Sequence, residues 1–398
     1  MAAVISADDV DAVVRDPRTA GEQARIAGEI VPGDGTVELG DNGARGMKIK
    51  QMALAAAALV VAGPLAAQND INSVCGDVPA QVQDECVVVA QAVDAVQPQI
   101  GILMAGGNPT LGTASTGGVR LGLLPRVSLT GRVNVVALRL PDIRSLDSGD
   151  GNQLRVPAPA VGANLSVGLT QGFSVAPMIG GFGAIDLLGS VSVLPLELVG
   201  DEFGDNAFSW GAGARVGLIR ESFVMPGVSV SVMYRNLGDA SFGKVCEGTE
   251  APSLIAPTDP DRTACTGEGE GQGQVGEIGD VEFGLSNIST RAAISKRLLG
   301  LGLTAGVGYD KFDTDADLAF STEGVPGTRE IYRLRGVGVD NDRWSAFLNA
   351  SFTVLVASLV AEAGWMEGSD PIEDYPKDAD FDAGEGTWFG SLGVRLSL

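Results

Sequence analysis

Apolar and polar positions alternate with a period of two through most of the sequence. In 161–169, Val, Ala and Leu alternate with Gly, Asn and Ser, and 208–218 and 301–310 show the same pattern. Because successive side chains of a strand point to opposite faces, each segment has one apolar and one small or polar face. Val, Leu and Ala dominate the apolar face, whereas a soluble sandwich core would need more large aromatic side chains. The pattern therefore predicts an all-β protein, an antiparallel transmembrane β-barrel over residues 98–398.

The number of strands follows from where this alternation starts and stops. The predicted strands are 116–124, 127–139, 159–170, 173–194, 207–219, 224–236, 280–296, 301–314, 343–354, 357–367 and 386–398. Barrels of this kind usually have an even number of strands, so one more is expected, around 98–107 or 328–338. We expect about twelve strands, within a range of ten to fourteen. A β-bulge is expected at Asn287, where the apolar positions of 280–296 change parity.

The connections between these strands alternate between short and long. The long ones cover 140–158, 195–206, 237–279, 315–342 and 368–385. With a periplasmic C-terminus, all of them fall on the extracellular side, as the long loops of outer-membrane barrels do. The tryptophans are expected at the extracellular rim as an aromatic girdle at the level of the lipid headgroups. They are Trp210, Trp344, Trp365 and Trp388.

The beginning of the chain has the features of an export signal. Residues 47–67 combine Lys48 and Lys50 with a short apolar run and a Gly-Pro break before Ala66-Ala67. We expect a cleavable signal peptide, cut after Ala67, and localisation in the outer membrane. Residues 1–46 are interpreted as an untranslated or disordered leader, the alternative being a cytoplasmic domain ahead of a signal anchor. Residues 68–97 contain a short helical pattern and are expected to form either an N-terminal plug or a periplasmic segment.

Composition argues against an enzyme. The sequence has no histidine, which removes the commonest general base, the Ser-His and Cys-His nucleophile pairs and most zinc sites. We therefore predict no catalytic, cofactor or metal site. The formal net charge of -23 makes nucleic acid an unsuitable partner.

The four cysteines form two pairs that are local in sequence. Cys75 with Cys86, and Cys246 with Cys265, are predicted to close short disulfide-bonded loops in an oxidising compartment. The alternative is four reduced, buried thiols.

Charged residues on the small, polar face of the strands are expected to point into the lumen. The predicted pore-lining residues are Arg120, Arg132, Arg215, Arg291, Asp310, Glu362 and Arg395, with Asp186 as a further acidic partner. They could form a charged constriction that orients solutes, or a ladder of ion pairs that braces the wall, and both can hold together.

The predicted outer loops are acidic. The runs at 313–317 and 378–382 place Asp at alternate positions but lack the Gly and the Glu of a calcium loop. We interpret them as solvated loops, with lipid, lipopolysaccharide and bridging divalent cations as expected partners.

The last strand, 392–398, resembles the terminal strand that the barrel-assembly machinery recognises in outer-membrane proteins, although it ends in Leu398 where those usually end in Phe or Trp. The resemblance is to porin-like and FadL-like architectures and names no subfamily. It implies the assembly machinery as a partner. The expected function is passive passage of small solutes, and the alternative is a non-conducting structural or adhesive barrel that acts through its acidic loops. The oligomeric state and the solute stay open.

Overall fold

The computed structural model describes residues 75, 83–120, 124–141, 153–175, 180–195, 206–243, 246, 249–266, 279–298, 300–323, 329–368, 382 and 384–397. The predicted leader and signal peptide lie outside these residues. The elements are α1 (Gln83–Ala105), β1 (Val119–Arg120), β2 (Leu124–Pro125), β3 (Val127–Pro141), β4 (Gln153–Gly168), β5 (Ala184–Leu194), β6 (Ala207–Ile219), β7 (Gly227–Gly243), β8 (Thr249–Pro252), β9 (Arg262–Thr266), β10 (Gly279–Leu298), β11 (Leu301–Glu323), β12 (Arg329–Val354), β13 (Ala357–Met366) and β14 (Thr387–Ser397).

Ten antiparallel strands close into a barrel. The order around the ring is β3, β4, β5, β6, β7, β10, β11, β12, β13 and β14, and β14 pairs with β3 to complete it. The first residues of β12, which lie beyond the end of β13, pair with β9 instead, and β9 pairs with β8. The expected count of about twelve strands is therefore corrected to ten wall strands, with β8 and β9 as a hairpin added to the same sheet.

Two predicted strands are not part of the wall. Residues 98–105 belong to α1, so the proposed strand at 98–107 is wrong, and helix α1 continues past the domain boundary expected at residue 97. The proposed strand at 116–124 is replaced by the two-residue pair β1–β2. The Gly-rich sequence there has no sustained alternation, which removes the pattern that a long wall strand requires.

The predicted loop at 315–342 is also wrong, because most of it forms strands. β11 extends to Glu323 and β12 begins at Arg329, and the two strands pair continuously apart from one register shift between Ala316 and Leu318. The alternating aspartates of 313–317 are the outward positions of this pair rather than a loop.

The outward face of the barrel carries an apolar band. On β12, exposed side chains run from Trp344 through Leu348 and Phe352 to Val354. The ten residue steps from Trp344 to Val354 span about 25 Å at ~3.3 Å per residue and a tilt near 40°, which is the height of the lipid-facing band of an outer-membrane barrel. The short turns lie at the lower edge of this band, where Leu355 adopts a φ of 56° in the two-residue connection to β13.

Above the band, β10, β11 and β12 continue outward and the distribution of polarity inverts. Phe283, Leu285, Phe312 and Leu318 are buried on the inner face, while the aspartates face out. This inversion explains the apparent parity change at Asn287. The inward side chains of β10 stand at odd positions throughout, but they are apolar above the membrane, as Phe283 and Leu285 are, and mostly polar within it. No bulge occurs at Asn287, and the register shift of β10 against β7 lies between Phe283 and Leu285.

Within the part of the chain described, no helix has the length and apolar character needed to cross a membrane.

Candidate functional site

Residues 83–118, here called the lumen segment, run through the inside of the barrel from the long-loop end to the short-turn end. Their partners on β3 change in order. Gln99 donates to the Arg139 carbonyl at 2.9 Å, and Asn134 donates to the Leu103 carbonyl at 2.7 Å. Near the other end, the Arg126 amide donates to the Gly118 carbonyl at 3.1 Å.

Wall side chains bond to the lumen segment from nearly every direction. The contributing residues are Arg132 (β3), Asn164 (β4), Asp186 (β5), Arg215 (β6), Arg291 (β10), Thr314 (β11), Asn349 (β12), Glu362 (β13) and Arg395 (β14). Since nine of the ten ring strands contribute, the segment crosses the middle of the lumen instead of lying along one wall.

Glu362 is the centre of the largest polar network. Its carboxylate accepts from the Gly107 amide at 2.9 Å and the Asn108 amide at 2.8 Å. Arg132 lies 3.2 Å from the same carboxylate, and the side chains of Asn349 and Ser391 donate at 2.7 and 3.0 Å. The Glu362 side chain is fully buried. Because five donors converge on one buried carboxylate, Glu362 fixes the chain at Gly107.

Gly106 and Gly107 make this approach sterically possible. Gly106 has a φ of +60°, and a Cβ there would fall 1.7 Å from the Arg132 guanidinium. A Cβ at Gly107 would fall 2.6 Å from Phe347. Larger residues would therefore push the backbone off the wall.

A second ion pair fixes the lower end. Arg215 donates to Asp186 through Nε at 3.1 Å, and both side chains are buried. Asp186 also accepts from the Gly117 amide at 3.0 Å, while Arg215 donates to Thr110. The pair thus binds both the wall and the lumen segment.

The remaining arginines differ in how they are neutralised. Arg291 pairs with Asp310 at 2.8 Å and donates to the Gly107 carbonyl at 2.9 Å. Arg395 donates to the Leu111 carbonyl at 2.8 Å, and Arg235 donates to Ser289 at 2.7 Å. Neither of these two has a carboxylate within 4.0 Å among the described residues, although both are buried.

The upper half of the lumen segment packs through apolar contacts. Ile102 and Leu103 of α1 belong to a buried cluster with Phe312, Phe347 and Phe389 of the wall. Gly101 lets the helix approach the wall closely, since a Cβ there would fall 2.0 Å from the Phe312 ring.

Both predicted disulfides are present. Cys75 bonds to Cys86 beside the start of α1, and Cys246 bonds to Cys265 beside the β8–β9 hairpin. The hairpin is further held to β12 by Arg333, which pairs with Glu250 at 2.6 Å.

The structure places the sequence-predicted residues as follows. Arg132, Asp186, Arg215, Arg291, Asp310, Glu362 and Arg395 are all inward and buried. Arg120 lies in β1, outside the ring, and its side chain is outside the described part of the structure. The four tryptophans are outward and exposed near the long-loop end, and Trp365 and Trp388 face each other across β13 and β14.

Sequence reasoning missed the uncharged half of this site. Asn108, Asn349 and the backbone of 106–118 carry much of the network. Arg235, which donates to Ser289 within the wall, was also missed from the sequence. Arg235 stands at an odd position in 228–235, on the face opposite the valines at even positions, so its inward orientation could have been predicted. The described residues contain no group of three or more potential metal ligands, and 378–381 lie outside them.

No family model matches the sequence, and no curated protein matches it. Among solved structures, the translocator domain of autotransporter NalP from Neisseria meningitidis has a TM-score of 0.36 at 13% identity, with 78% of this chain and 98% of that chain covered. The outer membrane protease OmpT from Escherichia coli has 0.29 at 10% identity, with 69% and 96% covered. A Pseudomonas aeruginosa FadL homologue has 0.26 at 8% identity, with 74% and 97% covered.

The closed antiparallel ring, its outward apolar band and its exposed tryptophans together fit lipid on the outside and polar groups within. The chain is an outer-membrane β-barrel.

Proposed function

We propose that this protein is a closed, non-conducting outer-membrane barrel whose outer end is its working surface. One observation carries the proposal: the lumen segment is bonded to nine of the ten wall strands across the width of the barrel. Solutes larger than water would have to displace it, and each displaced contact would leave a buried polar group without its partner.

The outer end offers a rigid surface for contacts. β10, β11 and β12 rise above the apolar band, and the disulfide-linked hairpin widens this sheet. Its outward face is acidic, with Asp313 directly opposite Asp340 and Glu282 opposite Asp317. This acidic face favours lipopolysaccharide, bridged by divalent cations, as one partner. The terminal strand 392–398 favours the barrel-assembly machinery as another.

Passive passage of small solutes is a second candidate, favoured by the buried arginines. Arg235 and Arg395 lack a carboxylate partner among the described residues, so the interior carries excess positive charge. Such a channel would be anion-selective, and it would conduct only after the lumen segment leaves.

Single-channel recording of the refolded mature protein in planar bilayers separates the two. The closed barrel predicts no discrete conductance steps over long recordings. Persistent open steps in the unmodified protein would refute it. If steps occur, Arg395→Glu should reverse their anion preference, with the outward, exposed Glu282→Gln as a matched control that leaves selectivity unchanged.

A further inference from the structure

The direction of the lumen segment can be established independently of β3. Along β12, Asn341 donates to Asp94 at 2.9 Å, Asn349 lies 2.8 Å from Asn108, and a Cβ at Gly112 would fall 3.2 Å from Ser351. Residue numbers in the segment therefore rise as the wall is followed from the long loops to the short turns. The two strands agree, so the N-terminal end of α1 is at the long-loop end.

The opposite end of the segment stays with the short turns. Gly118 lies beside Arg126, directly before β3, and the Gly117 amide bonds to Asp186 near the lower end of β5. The segment consequently crosses the barrel once. The N-terminal end of α1 therefore lies at the end of the barrel where the long loops are.

The Cys75–Cys86 disulfide marks that emerging end. Cys75 and Cys86 are fully buried and belong to the same apolar cluster as Phe312, Leu318 and Phe320, which stand above the apolar band. Long loops of outer-membrane barrels are extracellular. Cys75 is then on the outer side of the membrane, while the barrel's short turns face the periplasm.

We propose that this barrel carries its own N-terminal segment across the outer membrane, so that Cys75 and the start of α1 lie on the extracellular side. An exported chain starts in the periplasm, so those residues must pass through the lumen before or while the wall closes. A helix suits this passage because it satisfies its own backbone hydrogen bonds. In the non-helical residues 106–118, many backbone groups instead bond to the wall, which holds the segment in place once it has crossed.

The proposal is tested with a short epitope inserted after Asp70 in the otherwise complete chain, on intact cells. Its control is the same epitope inserted after Ser222, in the turn where Phe223 is 92% exposed at the short-turn end. We expect antibody to bind the first without permeabilisation, at least ten-fold above the second, and the second only after permeabilisation. The reverse result would overturn the proposal.

A pair of cysteines tests the direction where an epitope blocks assembly. Gln97 donates to Thr314 at 2.6 Å, whereas Ser295 is at the other end, 3.0 Å from the Ala114 amide. Gln97→Cys with Thr314→Cys should cross-link in the folded protein, and Gln97→Cys with Ser295→Cys should not. A cross-link only in the second pair would mean that the segment runs the other way and that its N-terminal end is periplasmic. Neither result depends on whether the barrel conducts ions.

Discussion

Replacing Glu362 with glutamine should destabilise the barrel more than any exposed carboxyl substitution. The side chain keeps its size, but one carboxylate oxygen becomes an NH2 group. One oxygen accepts from Gly107, Arg132 and Ser391, and the other accepts from Asn108 and Asn349. Whichever oxygen is replaced, at least two donors then face another donor.

The magnitude follows from the charge that is left behind. Glu362→Gln leaves the guanidinium of Arg132 buried without its carboxylate, and breaking a buried pair in this way costs about 3–5 kcal/mol. The lost hydrogen bonds are part of that figure rather than an addition to it. We therefore expect the free energy of unfolding to fall by about 3–5 kcal/mol.

Equilibrium unfolding in urea, with the protein refolded into phospholipid vesicles and followed by tryptophan fluorescence, measures this difference. Glu282→Gln is the matched control, since Glu282 is outward and exposed on β10; it should change stability by less than ~0.5 kcal/mol. If Glu362→Gln is as stable as the control, the carboxylate does not hold Gly107 and Arg132 together, and the proposed network is refuted.

Four further outcomes are expected. Arg215→Glu places a carboxylate against Asp186 and should cost about 3–5 kcal/mol in the same assay, more than Arg395→Glu, which breaks no ion pair; equal losses would contradict the assignment. Brominated lipids should quench the four tryptophans at one shared depth near the headgroups, and two distinct depths would argue against a single girdle. Burial, with repulsion from Asp340, raises the pKa of the Asp313 carboxyl above its ordinary value of 3.8. The free energy of unfolding of the wild type should therefore rise as pH falls through that pKa, and Asp313→Asn should show no such rise. Parallel pH profiles of the two proteins would contradict this prediction. Removing the Cys246–Cys265 disulfide should expose 249–266 to proteases and leave the barrel folded; loss of the whole fold would show that the hairpin is not peripheral.

The period-two alternation allowed most of the wall to be predicted. Val161, Leu165 and Trp210 face outward, and Arg215 and Glu362 face inward, as the alternation indicates. A strand's two faces are set by backbone geometry, so one assigned residue fixes its neighbours. The cysteine pairs could be predicted as well, because a short separation in sequence favours closure of a local disulfide loop.

The lumen segment and the upper wall were harder to predict. Residues 106–118 have no period, and their partners lie up to 284 residues away in sequence, as between Leu111 and Arg395. At 315–342, the aspartates resemble a loop because sequence alone does not reveal that the inner face becomes apolar above the membrane. Phe312, Leu318 and Phe320 are buried there against the apolar cluster that includes α1, a contact visible only in three dimensions.

Hydrogen exchange at the amides of Gly107 and Asn108 tests the central claim most directly. These residues belong to neither a helix nor a strand, so their amides would exchange at nearly the free rate if the segment hung in solvent. Bonded to Glu362 inside the barrel, they should be protected about as strongly as the wall strands in the refolded protein, and less strongly in Glu362→Gln. Free exchange at both amides in a folded barrel would show that the lumen segment does not occupy the lumen.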